Sequence, residues 1–241
     1  MNQYAVFDWD NTVRKGFTLF DWVEYLIEQR MIGDSIKPMI DNLSYKYSIN
    51  EISHDEYARL ACKLYVKEVS GHKFSELQQV AQQYSNRDID QIWSGMESVF
   101  EILFQNRIDI IIISGAPKIV IDFYKTRFHI KALYAFKEEV SNGVLNGRVA
   151  YNYGYDKLRV INKLKLKYGT APLFGFGDSF SDLPLLDEAV YGFSINSSIG
   201  SATRIDIVND SIRSSHLDEM LYQIIHKAPE CRFLTSAEFR L

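Results

Sequence analysis

The strongest constraint on this chain lies in residues 4–12, Tyr4-Ala5-Val6-Phe7-Asp8-Trp9-Asp10-Asn11-Thr12. A short apolar run stops at two carboxylates one residue apart, followed by a hydroxyl. An apolar run of this length, without polar alternation, suits a strand buried on both faces, as in a parallel sheet. Ligands of such sheets sit beyond the carboxyl ends of the strands. Asp8 and Asp10 therefore stand where chemistry is expected. Two neighbouring carboxylates repel each other unless a cation or a shared proton intervenes.

Helical periodicity follows at once. Phe20, Val23, Leu26, Ile27 and Met31 share a face, with Gly33 as the expected stop. A second helix is expected over Met39–Tyr47. Ser53 and Glu56 have the spacing of a capping box, opening a helix that runs to about Val69. Further helices are expected over Ser75–Tyr84 and Ile92–Gln105. The strand pattern returns at Ile108–Ile113 and ends at Ser114-Gly115. After it come a helix from Lys118 to Arg127, a short strand near Ala132–Phe136, and a hairpin within Glu139–Val149. That hairpin carries Asn142-Gly143 and Asn146-Gly147 as turn signals. The remaining pattern is a helix over Asp156–Lys167, a strand over Leu173–Gly177 ending at Asp178, and a short helix over Leu183–Glu188. Strands at Ala189–Ile195 and Ile205–Val208 and a helix over His216–His226 complete it, and the last dozen residues show no pattern.

Alternating strands and helices specify an α/β chain with a doubly wound parallel sheet. Residues 15–89 are helical throughout and too long for an ordinary crossover. They read as a helical cap domain inserted after the first strand, leaving 1–14 and 90–241 as the core domain.

The apolar strands end in Asp8 and Asp10, in Ser114, and in Asp178 and Asp182, while Lys157 opens the helix before the third of these strands. Each signal alone is weak: paired acids are common in turns, Ser-Gly is a common turn, and a helical lysine is usually solvated. Their common position at one sheet edge is what carries weight. Four acids, a hydroxyl and an amine suit phosphoryl transfer through an aspartyl phosphate, with a hard cation offsetting the repulsion between anions. Gly175 and Gly177 mimic part of a dinucleotide fingerprint, but Phe180 occupies the place of the last glycine. A net charge of −4 disfavours nucleic acid as a partner. Cys62 and Cys231 are too few for a disulfide framework, and the five histidines lack metal spacing. No membrane-length apolar run and no signal peptide stand in the sequence, so a reduced, cytoplasmic setting is expected. An oligomeric state is not readable from it.

The motif set resembles the haloacid-dehalogenase-like hydrolase superfamily, and within it the phosphoserine-phosphatase-like branch with a helical cap. Its DxDxT motif stands here as Asp8-Trp9-Asp10-Asn11-Thr12, its second motif as Ser114-Gly115, its lysine as Lys157 and its GDxxxD motif as Gly177–Asp182. The resemblance implies a Mg²⁺-dependent phosphatase acting on a small phosphorylated metabolite. Asp8 would be the nucleophile and a metal ligand. Asp10 would be the general acid and base, and a ligand through its backbone carbonyl. Asp178 would be the third ligand, and Asp182 would support the metal shell or orient Lys157. Ser114, Gly115 and Lys157 would bind the phosphoryl group, and Thr12 would fix the loop. Asp10 separates this chain from dehalogenases and from the ATPase branch, leaving phosphoserine phosphatase proper, or a phosphotransferase or phosphomutase of the same superfamily, as the alternatives. A phospho-receiver module or a silent binding protein are the rivals from other classes, and neither explains the cap together with the full motif set. The branch's substrate-amine glutamate, nine residues past the nucleophile, is replaced here by Phe17. Arg59 stands near the place of its carboxylate-binding arginine, where ungapped comparison puts Ala61. Both departures count against phosphoserine itself. Phe17, Trp22, Tyr45 and Tyr47 are candidates for a more aromatic pocket.

Overall fold

The structure, a computed structural model, describes residues 3–208, 211–212 and 214–227. β1 (Tyr4–Phe7) leads into four helices: α1 (Thr18–Glu28), α2 (Ile36–Ser48), α3 (His54–Glu68) and α4 (Phe74–Asp88). Then come α5 (Met96–Gln105), β2 (Asp109–Pro117), α6 (Lys118–Ile121), β3 (Ile130–Ser141), β4 (Val144–Tyr151) and α7 (Lys157–Tyr168). The chain continues with β5 (Phe174–Gly177), α8 (Leu183–Asp187), β6 (Tyr191–Ile195) and β7 (Thr203–Ile205). It closes with a small ribbon, β8 (Ile207–Val208) and β9 (Ser211–Ile212), and with α9 (Ser214–Lys227). The patternless last dozen residues lie outside the described ones.

One sheet of seven strands has the order β4-β3-β2-β1-β5-β6-β7. Every neighbouring pair is parallel except β3 with β4. β1 is central: Phe7 pairs with Ile112 on one side and Phe176 on the other. The chain builds the sheet outward from β1 in both directions, so the carboxyl end of β1 is the point where the winding reverses and a crevice opens. Both faces of β1 are covered, which is why it shows no polar alternation. Tyr4 and Val6 pack with Ile111, Ile113 and the α7 residues Val160, Ile161 and Leu164. Ala5 and Phe7 face the larger core on the opposite side. There Phe7 stacks on Phe176 at 4.2 Å, and Phe176 stacks on Phe193.

Several elements differ from expectation for local reasons. α1 stops at Glu28, well before Gly33, because Arg30 takes a left-handed conformation (φ 57°). The amides of Met31 and Arg30 then return to the carbonyls of Leu26 and Ile27, closing the helix end without a glycine. α5 starts at Met96, not Ile92, since the Trp93 amide donates to the Val13 carbonyl and Gly95 turns the chain at φ 95°. The expected helix over Lys118–Arg127 reduces to α6 and a tight turn over Asp122–Tyr124, where the buried Tyr124 hydroxyl reaches Asp88. The short strand and the hairpin are continuous as β3 and β4. Asn142 and Gly143 form the turn, with φ of 51° and 79°. Asn146-Gly147 is a bulge instead: Val140 pairs with Leu145 while Glu138 pairs with Val149. Half of the expected capping box forms, because the Ser53 hydroxyl accepts from the Glu56 amide while the Glu56 carboxylate turns to Arg59. No described helix is long and apolar enough to cross a membrane.

Candidate active site

Asp8 extends β1 by one hydrogen bond, its amide donating to the Phe176 carbonyl at 3.0 Å. The chain then reverses sharply. The amides of Thr12, Val13 and Arg14 all converge on the Trp9 carbonyl, and Asn11 takes the left-handed conformation that asparagine tolerates (φ 55°). The reversal brings Asp10 against the start of α1. There the Thr18 amide and hydroxyl donate to Asp10 Oδ1 at 3.0 and 2.5 Å. Thr12 turns the other way, its hydroxyl donating to Asp178 Oδ1 at 3.1 Å. This contact ties the turn after β1 to the turn after β5.

Lys157 and Asp182 are both buried beneath this edge. Lys157 Nζ lies 3.0 Å from Asp8 Oδ1 and 2.5 Å from Asp182 Oδ1. The second oxygen of Asp182 accepts from the amides of Asp178 and Ser179 and from the Ser179 hydroxyl. Asp182 is thus saturated and acts by holding the lysine and the β5 turn. Gly177 makes room for it, since a Cβ there would fall 2.3 Å from the Asp182 Cβ. Ser114 is buried within β2, its hydroxyl accepting from the Ala116 amide. Gly115 lies against Gly154, where a Cβ would come within 2.6 Å of the Gly115 Cα. Asp8, Asp10, Ser114, Gly115, Lys157 and Asp178 all line one cavity of about 480 Å³.

The electrostatics of the cluster are those of acids held out of water. Burial raises the Asp8 carboxyl, the Lys157 charge opposes this, and Asp182 adds to it. Burial raises Asp178 to about 8, helped by the charges of Asp8 and Asp182. Asp10 rises to about 7 through burial, moderated by the Arg14 guanidinium and by the Thr18 hydrogen bonds. Burial alone would discharge Lys157, but Asp182 and Asp8 more than offset it and hold the ammonium above its usual range.

One oxygen each from Asp8, Asp178 and Asp182 lie within 4.8 Å of one another. Since Asp182 is saturated, Asp8 and Asp178 are the carboxylates free to bind a cation. Hard oxygen donors around an excess of negative charge fit Mg²⁺. Asp10 offers its side chain to Thr18 rather than to this cluster.

The helical segment between β1 and α5 supplies the far wall. Phe17 lines the cavity, as does Tyr47. Arg59 does not; its side chain is at the surface and pairs with Glu56 at 3.6 Å. Trp22 is buried in the core shared with the sheet, donating to the Tyr65 hydroxyl, which in turn donates to the buried Glu138 of β3. Tyr45 is exposed and away from the cavity. Sequence reasoning missed Thr18, Arg14, Asn152, Gly154 and Tyr155. Thr18 carries only the ordinary signature of a helix start. Arg14 is buried against Asp21 and against Asp88, the second pairing reaching across 74 positions with no local signal.

The family model of the haloacid dehalogenase-like hydrolases matches residues 5–187. No curated protein matches the sequence. Among solved structures, a protein of unknown function from Bordetella pertussis Tohama I superposes with a TM-score of 0.70 at 19% identity, covering 86% of this chain and 99% of its own. A substrate-bound phosphoserine phosphatase superposes at 0.63 with 14% identity, over 92% and 98% of the two chains. Cytosolic 5′-nucleotidase IIIB bound to cytidine superposes at 0.64 with 16% identity, over 95% and 87%. At these identities the likeness is one of fold.

Proposed function

The chain belongs to the haloacid dehalogenase-like hydrolases, and on that premise we propose that it is a magnesium-dependent phosphatase that cleaves a small phosphomonoester through a phosphorylated Asp8. One observation carries this reading: a buried carboxylate at the end of the central strand has Lys157 on one side and a second free carboxylate, Asp178, on the other. A carboxylate so placed is a nucleophile whose approach to an anionic ester is prepared by fixed charges.

Asp8 attacks phosphorus and the bond to the leaving oxygen breaks. Asp10, whose carboxyl burial lifts to about 7, gives its proton to that oxygen. The alcohol departs, and a water molecule approaches the phosphorylated Asp8. Asp10, now ionised, takes a proton from the water as the water oxygen bonds to phosphorus. The phosphorus–oxygen bond to Asp8 breaks, so that inorganic phosphate leaves and the Asp8 carboxylate is restored. Lys157 opposes the upward shift that burial imposes on Asp8 and balances the phosphoryl charge, with Asp182 holding the ammonium in place. The Ser114 hydroxyl and the Gly115 amide stand at the same end of the cavity to receive phosphoryl oxygens. Magnesium, held by Asp8, Asp178 and the Asp10 carbonyl, would neutralise the repulsion between Asp8 and the ester. Thr18 orients Asp10 and Thr12 holds the β1 and β5 turns together.

The test is release of phosphate from p-nitrophenyl phosphate in magnesium chloride by the wild-type protein and by Asp8→Asn. The substitution is expected to lower turnover by roughly 10⁶-fold, the scale on which a covalent enzyme loses rate without its nucleophile. Activity retained by Asp8→Asn, after deamidation has been excluded by mass spectrometry, would sink the mechanism.

A further inference from the structure

The cavity has two unlike walls, and the wall made by the insertion carries information about the substrate. Phe17 stands edge-on to Phe20, Phe20 faces Tyr57, and Tyr57 is stacked on Tyr47 at 5.0 Å. All four rings line the cavity. They come from α1 with its preceding residue, from α2 and from α3, so three separate segments contribute to one aromatic surface. Core packing does not account for it. The aromatic side chains that hold the insertion together, Trp22, Tyr65 and Tyr84, are at most 3% exposed, whereas Phe17 is 46% and Tyr47 39% exposed. Aromatic surface left uncovered within a cavity is surface available to a ligand.

The same wall holds no lysine or arginine that could pair with a second phosphate or a substrate carboxylate. Among the described lining residues, Lys157 is the one lysine or arginine, and it is committed to Asp8 and Asp182. His54 and Asp55, at the start of α3, are the histidine and the carboxylate on the insertion side, and they face each other, His54 Nδ1 lying 3.8 Å from Asp55 Oδ1. Ala58 and Ala61 line the cavity one helical turn apart and leave room between the rings and the phosphate end. Cys62 beside them is buried, and its thiol is pushed up to about 12, so it serves as neutral wall.

We propose that the substrate is a phosphomonoester of an uncharged, ring-bearing alcohol, its ring lying against Phe17, Phe20, Tyr47 and Tyr57 while its phosphate meets Asp8. The inference rests on the phosphatase reading of the same site. Ring–ring contact adds to apolar burial, so a ring-bearing ester gains over an alkyl one whose phosphate is bound identically.

Turnover of benzyl phosphate, propyl phosphate and O-phosphoserine is compared in magnesium chloride; the benzyl and propyl leaving alcohols differ little in acidity. The expected result is kcat/KM for benzyl phosphate about tenfold above propyl phosphate, with O-phosphoserine lowest. Phe17→Ala and Tyr47→Ala, both at exposed positions, are each expected to shrink the benzyl-to-propyl ratio about threefold. Equal turnover of the two esters, a preference for O-phosphoserine, or a ratio untouched by both substitutions overturns the proposal. Calorimetric titration of the same esters into magnesium-loaded Asp8→Asn separates the two readings. Hydrolysis without any benzyl preference in rate or binding leaves the phosphatase standing and the ring pocket refuted. Tighter benzyl binding with no hydrolysis of any ester supports the pocket and refutes the phosphatase.

Discussion

The two walls of the cavity obey different rules. At the sheet edge, Asp8, Ser114, Lys157 and Asp182 are at most 7% exposed. Most polar atoms there are tied to a named partner. Ionised groups survive burial only when paired, and removing one partner leaves an uncompensated charge. On the insertion side, Phe17 and Tyr47 present open ring surface and make no hydrogen bond that the catalytic groups depend on. The contrast teaches that, in the mechanism we propose, the reaction would be set by a mutually dependent cluster of buried charges, while the choice of substrate would rest on contacts that can change one at a time.

The largest effect expected on this contrast comes from the edge. Lys157→Met leaves Asp8 and Asp182 buried without their cation, and should lower stability of the metal-free protein by about 3–5 kcal/mol in urea unfolding. A loss below 1 kcal/mol would mean that the edge is as tolerant as the opposite wall. A pH series sharpens the same point. Asp10 and Asp178 bind protons more tightly when folded, at about 7 and about 8 against an ordinary value of 3.8. Between those values the folded chain holds more protons than the unfolded one. Stability in EDTA should therefore be greatest near pH 4 as far as these groups are concerned, and should decline as pH rises toward 8. Thermal melts at intervals across that window measure the slope. Asp178→Asn should flatten it, and magnesium, which favours the ionised acids, should restore the melting temperature at the alkaline end. The smallest effect is expected at Arg59→Ala. Its side chain is exposed, pairs with Glu56 and stands outside the cavity, so stability should change by less than about 0.5 kcal/mol. Phosphatase turnover of the Arg59→Ala protein should stay within about twofold of wild type, and a large rise in KM would return this arginine to the substrate wall.

Much of the edge was legible before any coordinates. An unbroken apolar run of four residues needs burial on both faces, and an abrupt stop at Asp8 marks a strand end in a parallel sheet. The same reasoning located Ser114 and Asp178, each directly after an apolar strand. The helix ends were less legible. The end of α1 at Arg30 depends on one left-handed residue that is not a glycine, and the start of α5 is delayed by a hydrogen bond from Trp93 to Val13. Neither leaves a trace in hydrophobic periodicity. The insertion's wall was read half correctly for the same reason. Phe17 and Tyr47 reach the cavity, but Trp22 is buried in the hydrophobic core that it shares with the sheet and Tyr45 faces solvent. An aromatic residue on a helix serves either purpose, and only the packing of three helices decides which.

By itself, then, the sequence determined the alternation of strands and helices, the strand ends that carry acids and a hydroxyl, and the length of helical chain between the first two strands. These are local properties: periodicity, strand length and the point where apolar residues stop. The tertiary structure alone decided that Asp182 serves Lys157 and the β5 turn, that Thr12 ties Asp178 to the first turn, and that Thr18 holds Asp10. Two of these links join residues far apart in the chain, Thr12 with Asp178 across 166 positions and Lys157 with Asp182 across 25. Such pairs are set by the register of β1 against β5 and by the packing of α7 on the sheet, and register is a property of neighbouring strands that no single segment encodes.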